Sequence, residues 1–158
     1  MVEPIRVLIA DDHAKARRGL RALLSTVKTV EVVAEAQDGH EAAQLVADCR
    51  PDVVLMDVQM PIWDGLEATR YIKARWPEVR IVALTIRAAW QEEALSAGAD
   101  VFLIKGCPGQ ELLDAVLNDW PAGPKAETAP QPSGTPLGGS GKAENPPRLY
   151  LTPAPMRG

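Results

Sequence analysis

Five short runs of mostly branched apolar residues recur through the first two thirds of the chain, at 5–10, 30–36, 52–57, 79–85 and 101–105. Their near-continuous apolar character suits β-strands covered on both faces, as in a parallel sheet. The stretches between them have helical spacing. Residues 15–27 place Leu20, Leu23, Leu24 and Val27 on one face, and 41–49 follow the turn-like pair Asp38-Gly39. Residues 66–76 stop at Pro77, 90–97 stop at Gly98, and 111–120 stop at Pro121. Strict alternation of strand and helix, joined by right-handed crossovers, predicts an α/β fold: a doubly wound five-stranded parallel sheet of flavodoxin-like order 2-1-3-4-5.

Composition changes abruptly after this region. Residues 121–158 hold nine of the 14 prolines and six of the 12 glycines, with no apolar period of 2 or 3.6. Such a segment buries too little surface to offset its ordering entropy, so the expected organisation is a folded domain over 1–120 and a disordered tail or linker over 121–158. The tail carries four basic residues against two acidic ones, so the folded part accounts for −6 where the whole chain has a net charge of −4. An acidic domain is a poor binder of phosphate backbones, and no specific nucleic-acid partner is expected for this chain. The two cysteines, Cys49 and Cys107, cannot build a disulfide framework. Apolar runs of about four residues exclude a transmembrane helix, and Met1-Val2-Glu3-Pro4 does not open a signal peptide, so a cytoplasmic location is expected.

Polar chemistry gathers where the strands end. The first strand runs into Asp11-Asp12, the third into Asp57, the fourth into Thr85 and the fifth into Lys105. Taken singly, Asp12 reads as a helix cap, Asp57 as a loop residue, Thr85 as a turn hydroxyl and Lys105 as a surface charge. Together they converge on the carboxyl edge of the sheet, where open α/β folds bind ligands. Two like charges ~4 Å apart repel by about 4 kcal/mol at an effective dielectric near 20, so clustered carboxylates ask for a cation. An all-oxygen site suits Mg²⁺, with Mn²⁺ as the substitute. A metal beside a carboxylate, with an ammonium and a hydroxyl opposite, is a set of groups for a phosphoryl group carried on aspartate.

These residues, in this order on five βα units, resemble the receiver domain of two-component response regulators. Met60-Pro61-Ile62-Trp63-Asp64-Gly65 is similar to the segment that follows the family's phosphoacceptor strand, and Ala97-Gly98-Ala99-Asp100 is similar to the segment before its last strand. Arg18-Gly19-Leu20-Arg21 and the lack of proline after Lys105 look most like the nitrate/LuxR type. The resemblance implies that Asp57 accepts a phosphoryl group from a histidine kinase or phosphotransfer protein. It further implies that Asp12 and the carbonyl of Gln59 ligate Mg²⁺ with Asp57, that Asp11 assists through water, and that Thr85 and Lys105 bind the phosphoryl group. Phe102 falls at the family's switch aromatic, compatible with an ordinary core role. The chain would then be a regulatory phosphoacceptor, with at most self-phosphorylation from small donors and autodephosphorylation, that signals to an output protein or a second copy of itself.

Two departures from the family stand out. Ile86 follows Thr85 where a small residue is usual, and the stretch from Thr85 to Lys105 is about two residues short. By the same resemblance, Gln59 and Arg87 sit where the family tunes dephosphorylation. An alternative reading makes the chain the receiver part of a LuxR-type transcription regulator, because Leu151-Thr152-Pro153 resembles the opening of that helix-turn-helix module. A haloacid-type phosphatase also uses a strand-end aspartate, but on its first strand and within a D-x-D pair. His13 and His40 lack metal-ligand spacing and read as polar residues at helix starts. Asp64 reads equally as a helix N-cap. The four tryptophans read as packing or partner surface, and the cysteines as structural or incidental thiols.

Overall fold

A computed structural model describes residues 3–117. Its elements are β1 (Ile5–Ala10), α1 (Ala14–Leu24), β2 (Val30–Ala36), α2 (Gly39–Cys49), β3 (Val53–Asp57), α3 (Gly65–Arg75), β4 (Arg80–Thr85), α4 (Gln91–Ala97), β5 (Val101–Ile104) and α5 (Gly109–Leu117). A 3₁₀ turn at Ala88–Trp90 leads into α4. The strands form one parallel sheet in the order β2-β1-β3-β4-β5, the flavodoxin-like arrangement. The chain divides into two units, Met1–Leu113 and Asp114–Gly158. Of the second, only the closing residues of α5 are described; the expected tail and the expected end of the last helix at Trp120 lie outside the described residues.

The three central strands β1, β3 and β4 are largely apolar because both faces of the sheet are covered there, whereas the edge strand β2 carries Glu31 and Glu35 and is mostly half-buried. Leu8 and Ala10, Val54 and Met56, and Ile81 and Ala83 point into one core, against Ala42, Ala43 and Val46 of α2, Leu66, Ala68 and Ile72 of α3, and Ala94 and Ala97 of α4. The alternate residues Val7, Ile9, Val53, Leu55, Val82 and Leu84 are equally buried on the opposite face. Burying each large aliphatic side chain contributes roughly 1.5–3 kcal/mol, so register is strongly specified for the three central strands.

Local signals fix the helix ends. Asp38 caps α2 by accepting from the Glu41 N–H at 2.7 Å. Asp64 and Glu67 form a reciprocal capping box on α3, which settles Asp64 as an N-cap. Gly98 closes α4 with a φ of 115°. α1 is shorter than its apolar spacing predicts, ending at Leu24 instead of running to residue 27. The Ser25 and Thr26 hydroxyls donate back to the carbonyls of Ala22 and Leu23 at 2.8 and 2.7 Å, competing with helical continuation. Between Thr85 and Lys105, α4 has seven residues where α1, α2 and α3 have eleven each, and it continues directly from the 3₁₀ turn.

Candidate functional site

Strand register brings the predicted residues to one level. Ala10 pairs with Met56, so Asp11 and Asp57 leave adjacent strands side by side. Asp57 pairs with Leu84, and Thr85 pairs with Ile104, so Thr85 emerges one step beyond Asp57 and Lys105 one step beyond Thr85. Backbone bonds continue the ladder past the strand ends: Asp11 N–H to Ala36 O at 3.0 Å, Val58 N–H to Leu84 O at 3.0 Å, and Lys105 N–H to Thr85 O at 2.8 Å. The site is therefore an extension of the sheet and inherits its rigidity.

Asp11, Asp57 and Thr85 are buried, and Asp12 and Lys105 are partly exposed. The Lys105 ammonium donates to Asp11 Oδ2 at 2.7 Å and lies 3.3 Å from Asp57 Oδ2. One cation thus serves two buried carboxylates. Burial, together with the negative charge of Asp11, pushes the Asp57 carboxyl up to about 6; Lys105 and a hydrogen bond from the Gln59 backbone only partly oppose this. Burial alone would lower the pKa of Lys105, but its bond to Asp11 and the charges of Asp57 and Asp11 outweigh burial and raise it. Thr85 Oγ1 accepts from the Arg87 N–H at 3.2 Å, which leaves its own proton available to a ligand.

The donor set fits a hard divalent cation. Asp11, Asp12, His13 and Asp57 each offer a ligand atom, all within 4.8 Å of one another. Asp12 Oδ1 is shielded from solvent and accepts no hydrogen bond, an orphaned acceptor whose natural partner is a cation. His13 is the residue that spacing alone passes over. It stands at the N-terminus of α1 as expected, but it makes no side-chain cap, and its Nδ1 lies 3.1 Å from Asp12 Oδ1 and 3.4 Å from Asp11 Oδ1. Direct adjacency to the Asp11-Asp12 pair was the available signal. His40 begins α2, outside this cluster, with its ring edge-on to Trp63.

The loop after Asp57 is held tightly. Gly65 N–H donates to Val58 O at 2.7 Å, and a Cβ at Gly65 would run into the Asp57 carbonyl oxygen. Gly39 N–H donates to Trp63 O at 2.9 Å, with no room for a Cβ at Gly39 either. Between these anchors Ile62 adopts φ 69°, unusual for a β-branched residue, with its side chain exposed. Ile86 is also exposed, at the rim beside Thr85. Phe102 is half-buried in β5 and packs against the core, as do Trp63, Trp76 and Trp90. Cys49 and Cys107 are free thiols. Among the described residues no helix is long and apolar enough to cross a membrane.

Comparison with known proteins agrees with this geometry. Residues 7–117 match the family profile described as the response regulator receiver domain. The transcriptional regulatory protein DegU of Brevibacillus brevis is 38% identical over 114 residues, which cover 71% of this chain and 48% of DegU. The response regulator protein VraR of Staphylococcus aureus is 39% identical over 114 residues, covering 71% of this chain and 54% of VraR. The chain thus spans about half the length of the curated relatives it matches. Among solved structures, the signal receiver domain of the response regulator NarL from Mycobacterium tuberculosis superposes with a TM-score of 0.70 at 35% identity, covering 73% of this chain and 95% of that one. The response regulator domain of Thermotoga maritima CheB gives 0.68 at 32% identity, covering 72% and 94%.

Proposed function

This chain belongs to the response regulator receiver domain family, and from that premise we propose that Asp57 accepts a phosphoryl group from a histidine kinase or phosphotransfer protein in a cytoplasmic two-component relay. The observation that carries the reading is the placement of the Asp57 carboxylate: buried at the sheet edge, 3.3 Å from Lys105 and within a cluster of three further metal-ligating side chains. Receiver domains bind Mg²⁺ at an acidic site. Here Asp12, Asp57 and the Gln59 carbonyl would hold it, with Asp11 assisting through water. When bound, the cation supplies charge neutralisation for the carboxylates and the phosphoryl oxygens.

The chain's own groups do the rest. An Asp57 carboxylate oxygen attacks phosphorus in line, and the donor nitrogen or oxygen departs with the bonding electron pair. Lys105 pairs with the transferred phosphoryl oxygens, and the Thr85 hydroxyl donates to one of them. Phe102 then serves as the switch residue that reports the phosphorylated state to a docking surface for an output protein or a second copy of the chain. The domain signals; its chemistry is confined to taking phosphoryl from a donor and losing it to water. A second reading, favoured by the transcriptional regulator among its relatives, gives the phosphorylated receiver a DNA-binding output of the LuxR type. Leu151-Thr152-Pro153, which resembles the opening of that module, lies outside the described residues.

The test is incubation with acetyl phosphate and Mg²⁺ followed by intact mass. One phosphoryl group should be added to the wild-type chain and none to Asp57→Ala. Undiminished labelling of Asp57→Ala would overturn the assignment.

A further inference from the structure

We propose that Arg17 is a positioning residue for the cation site, fixing the Asp11-Asp12 peptide from the far side of β1. The inference rests on the reading of the acidic cluster as a divalent-cation site and adds a residue that touches neither the cation nor the phosphoryl group. Arg17 lies on α1, with its side chain 14% exposed, and bonds in two directions. Its Nη1 donates to the Asp11 carbonyl at 2.6 Å, and its Nε donates to Glu35 Oε1 at 3.0 Å. Glu35, near the end of the edge strand β2, receives Arg21 Nε on its other oxygen at 2.7 Å. Two arginines one helical turn apart therefore share one carboxylate, each on its own oxygen, and the bond from Arg17 Nε to Glu35 sets the direction of the Arg17 guanidinium. The hydrogen bond from Arg21 is the main reason the Glu35 carboxyl sits below its ordinary value, with Arg17 adding to it against partial burial.

The Asp11 carbonyl belongs to the peptide plane that joins Asp11 to Asp12. Every other polar group of Asp11 is also fixed: its N–H on Ala36 O at 3.0 Å, Oδ1 by the His13 N–H at 2.9 Å, and Oδ2 by Lys105 at 2.7 Å. With the carbonyl held as well, the plane has no freedom to turn, and the next residue carries the orphaned oxygen, Asp12 Oδ1. Release of the carbonyl would let that plane rotate and Asp12 leave the cluster. Hydrogen-bonded partners of metal ligands commonly matter to this degree, and their loss lowers metal affinity by about 10–100-fold.

Charge and position predict opposite signs, which makes the proposal decidable. Removing the positive charge of Arg17 from the neighbourhood of a cation should tighten cation binding if only electrostatics matters. Removing its hold on the peptide should weaken it. Arg21 supplies the control: it carries the same charge to the same glutamate, does not touch Asp11, and is 51% exposed.

The experiment is Mg²⁺ titration by calorimetry on the full chain, well below the melting temperature, for wild type, Arg17→Gln, Arg17→Lys and Arg21→Gln. Wild type should bind Mg²⁺, Arg17→Gln should bind about tenfold more weakly, and Arg21→Gln should stay within about twofold, as expected for an exposed pair. Arg17→Lys keeps the charge but cannot span both acceptors; it should fall between wild type and Arg17→Gln, and it decides the matter should Arg17→Gln not fold. With acetyl phosphate, the Mg²⁺ concentration for half-maximal phosphorylation should rise in Arg17→Gln while the rate at saturating Mg²⁺ is retained. Equal or tighter Mg²⁺ binding in Arg17→Gln, or in Arg17→Lys if that is the folded variant, would overturn the positioning role while leaving the cation site intact. Failure of wild type to bind Mg²⁺ would overturn the cation reading itself, and this inference with it.

Discussion

Replacing Asp57 by asparagine should make the metal-free domain more stable, by an amount that depends on pH. The Asp57 carboxyl ordinarily titrates at 3.8 and sits at about 6 in the fold, because burial and the neighbouring Asp11 charge disfavour its ionised form. At 1.36 kcal/mol per pKa unit, that interval corresponds to ~3 kcal/mol lost when Asp57 ionises in the native state. The direction follows from proton counting. Between 3.8 and about 6 the native state holds a proton that the unfolded chain has released, so stability is full below the lower value and is lost as pH rises through the upper one. The amide of the substituted side chain has no charge to lose. Urea unfolding in EDTA should therefore show Asp57→Asn ahead of wild type by ~3 kcal/mol at pH 8, on the order of 10 °C in melting temperature for a domain of this size. The gap should close near pH 3.5. Saturating Mg²⁺ at pH 8 should narrow it from the other direction, because ligand binding stabilises the fully charged site more. An Asp57→Asn variant no more stable than wild type at pH 8 in EDTA would refute the reasoning, as would a gap of the same size at pH 3.5.

Gly65→Ala should destabilise the fold by about 1–3 kcal/mol in urea unfolding, since its new Cβ meets the Asp57 carbonyl oxygen and sits 2.9 Å from Val58 Cα, both immovable backbone; Gly19→Ala, with open space around it inside α1, should instead stabilise by roughly 0.5–1 kcal/mol. Ile86→Ala should leave stability and Mg²⁺ affinity unchanged, since the side chain is 70% exposed, yet speed phosphorylation by acetyl phosphate by opening the rim beside Thr85. An unchanged rate would show that Ile86 does not guard the site.

The sheet was legible because burial on both faces leaves little room for ambiguity. A strand such as Val53–Asp57 is buried at every position, so its apolar run begins and ends almost where the strand does. The position of the candidate site was legible for the same reason: a charged residue closing such a run, as Asp57 does and Lys105 does just past β5, lies where a strand ends. What stayed hidden depends on contacts that cross the chain. Glu35 interrupts the apolar pattern of β2 with no local explanation, and only the packing of α1 beside the edge strand reveals its two arginines. The early end of α1 came from hydroxyls that bond backward, which apolar spacing does not register. Gly39 reads in sequence as a turn residue, whereas its lack of a side chain is required by Trp63, far along the chain.

The balance of charge at the site links these local facts to switching. Lys105 is shared between Asp11 at 2.7 Å and Asp57 at 3.3 Å, so it is bound more closely to Asp11 than to the proposed phosphoacceptor. A phosphoryl group on Asp57 would bring new anionic oxygens to a point that Lys105 already faces, while a bound divalent cation would relieve Asp11 of its need for the ammonium. Under the proposed function, then, cation binding frees Lys105 and phosphorylation recruits it. Thr85 would be drawn in by the same event, through the proton of its hydroxyl. Both Thr85 and Lys105 lie at the ends of β4 and β5, joined by the Lys105 N–H to Thr85 O bond at 2.8 Å, and Phe102 sits three residues back along β5. Under the proposed function, a pull on these two side chains would be delivered to one pair of strands, and the half-buried Phe102, on the border between core and solvent, would change what the surface presents.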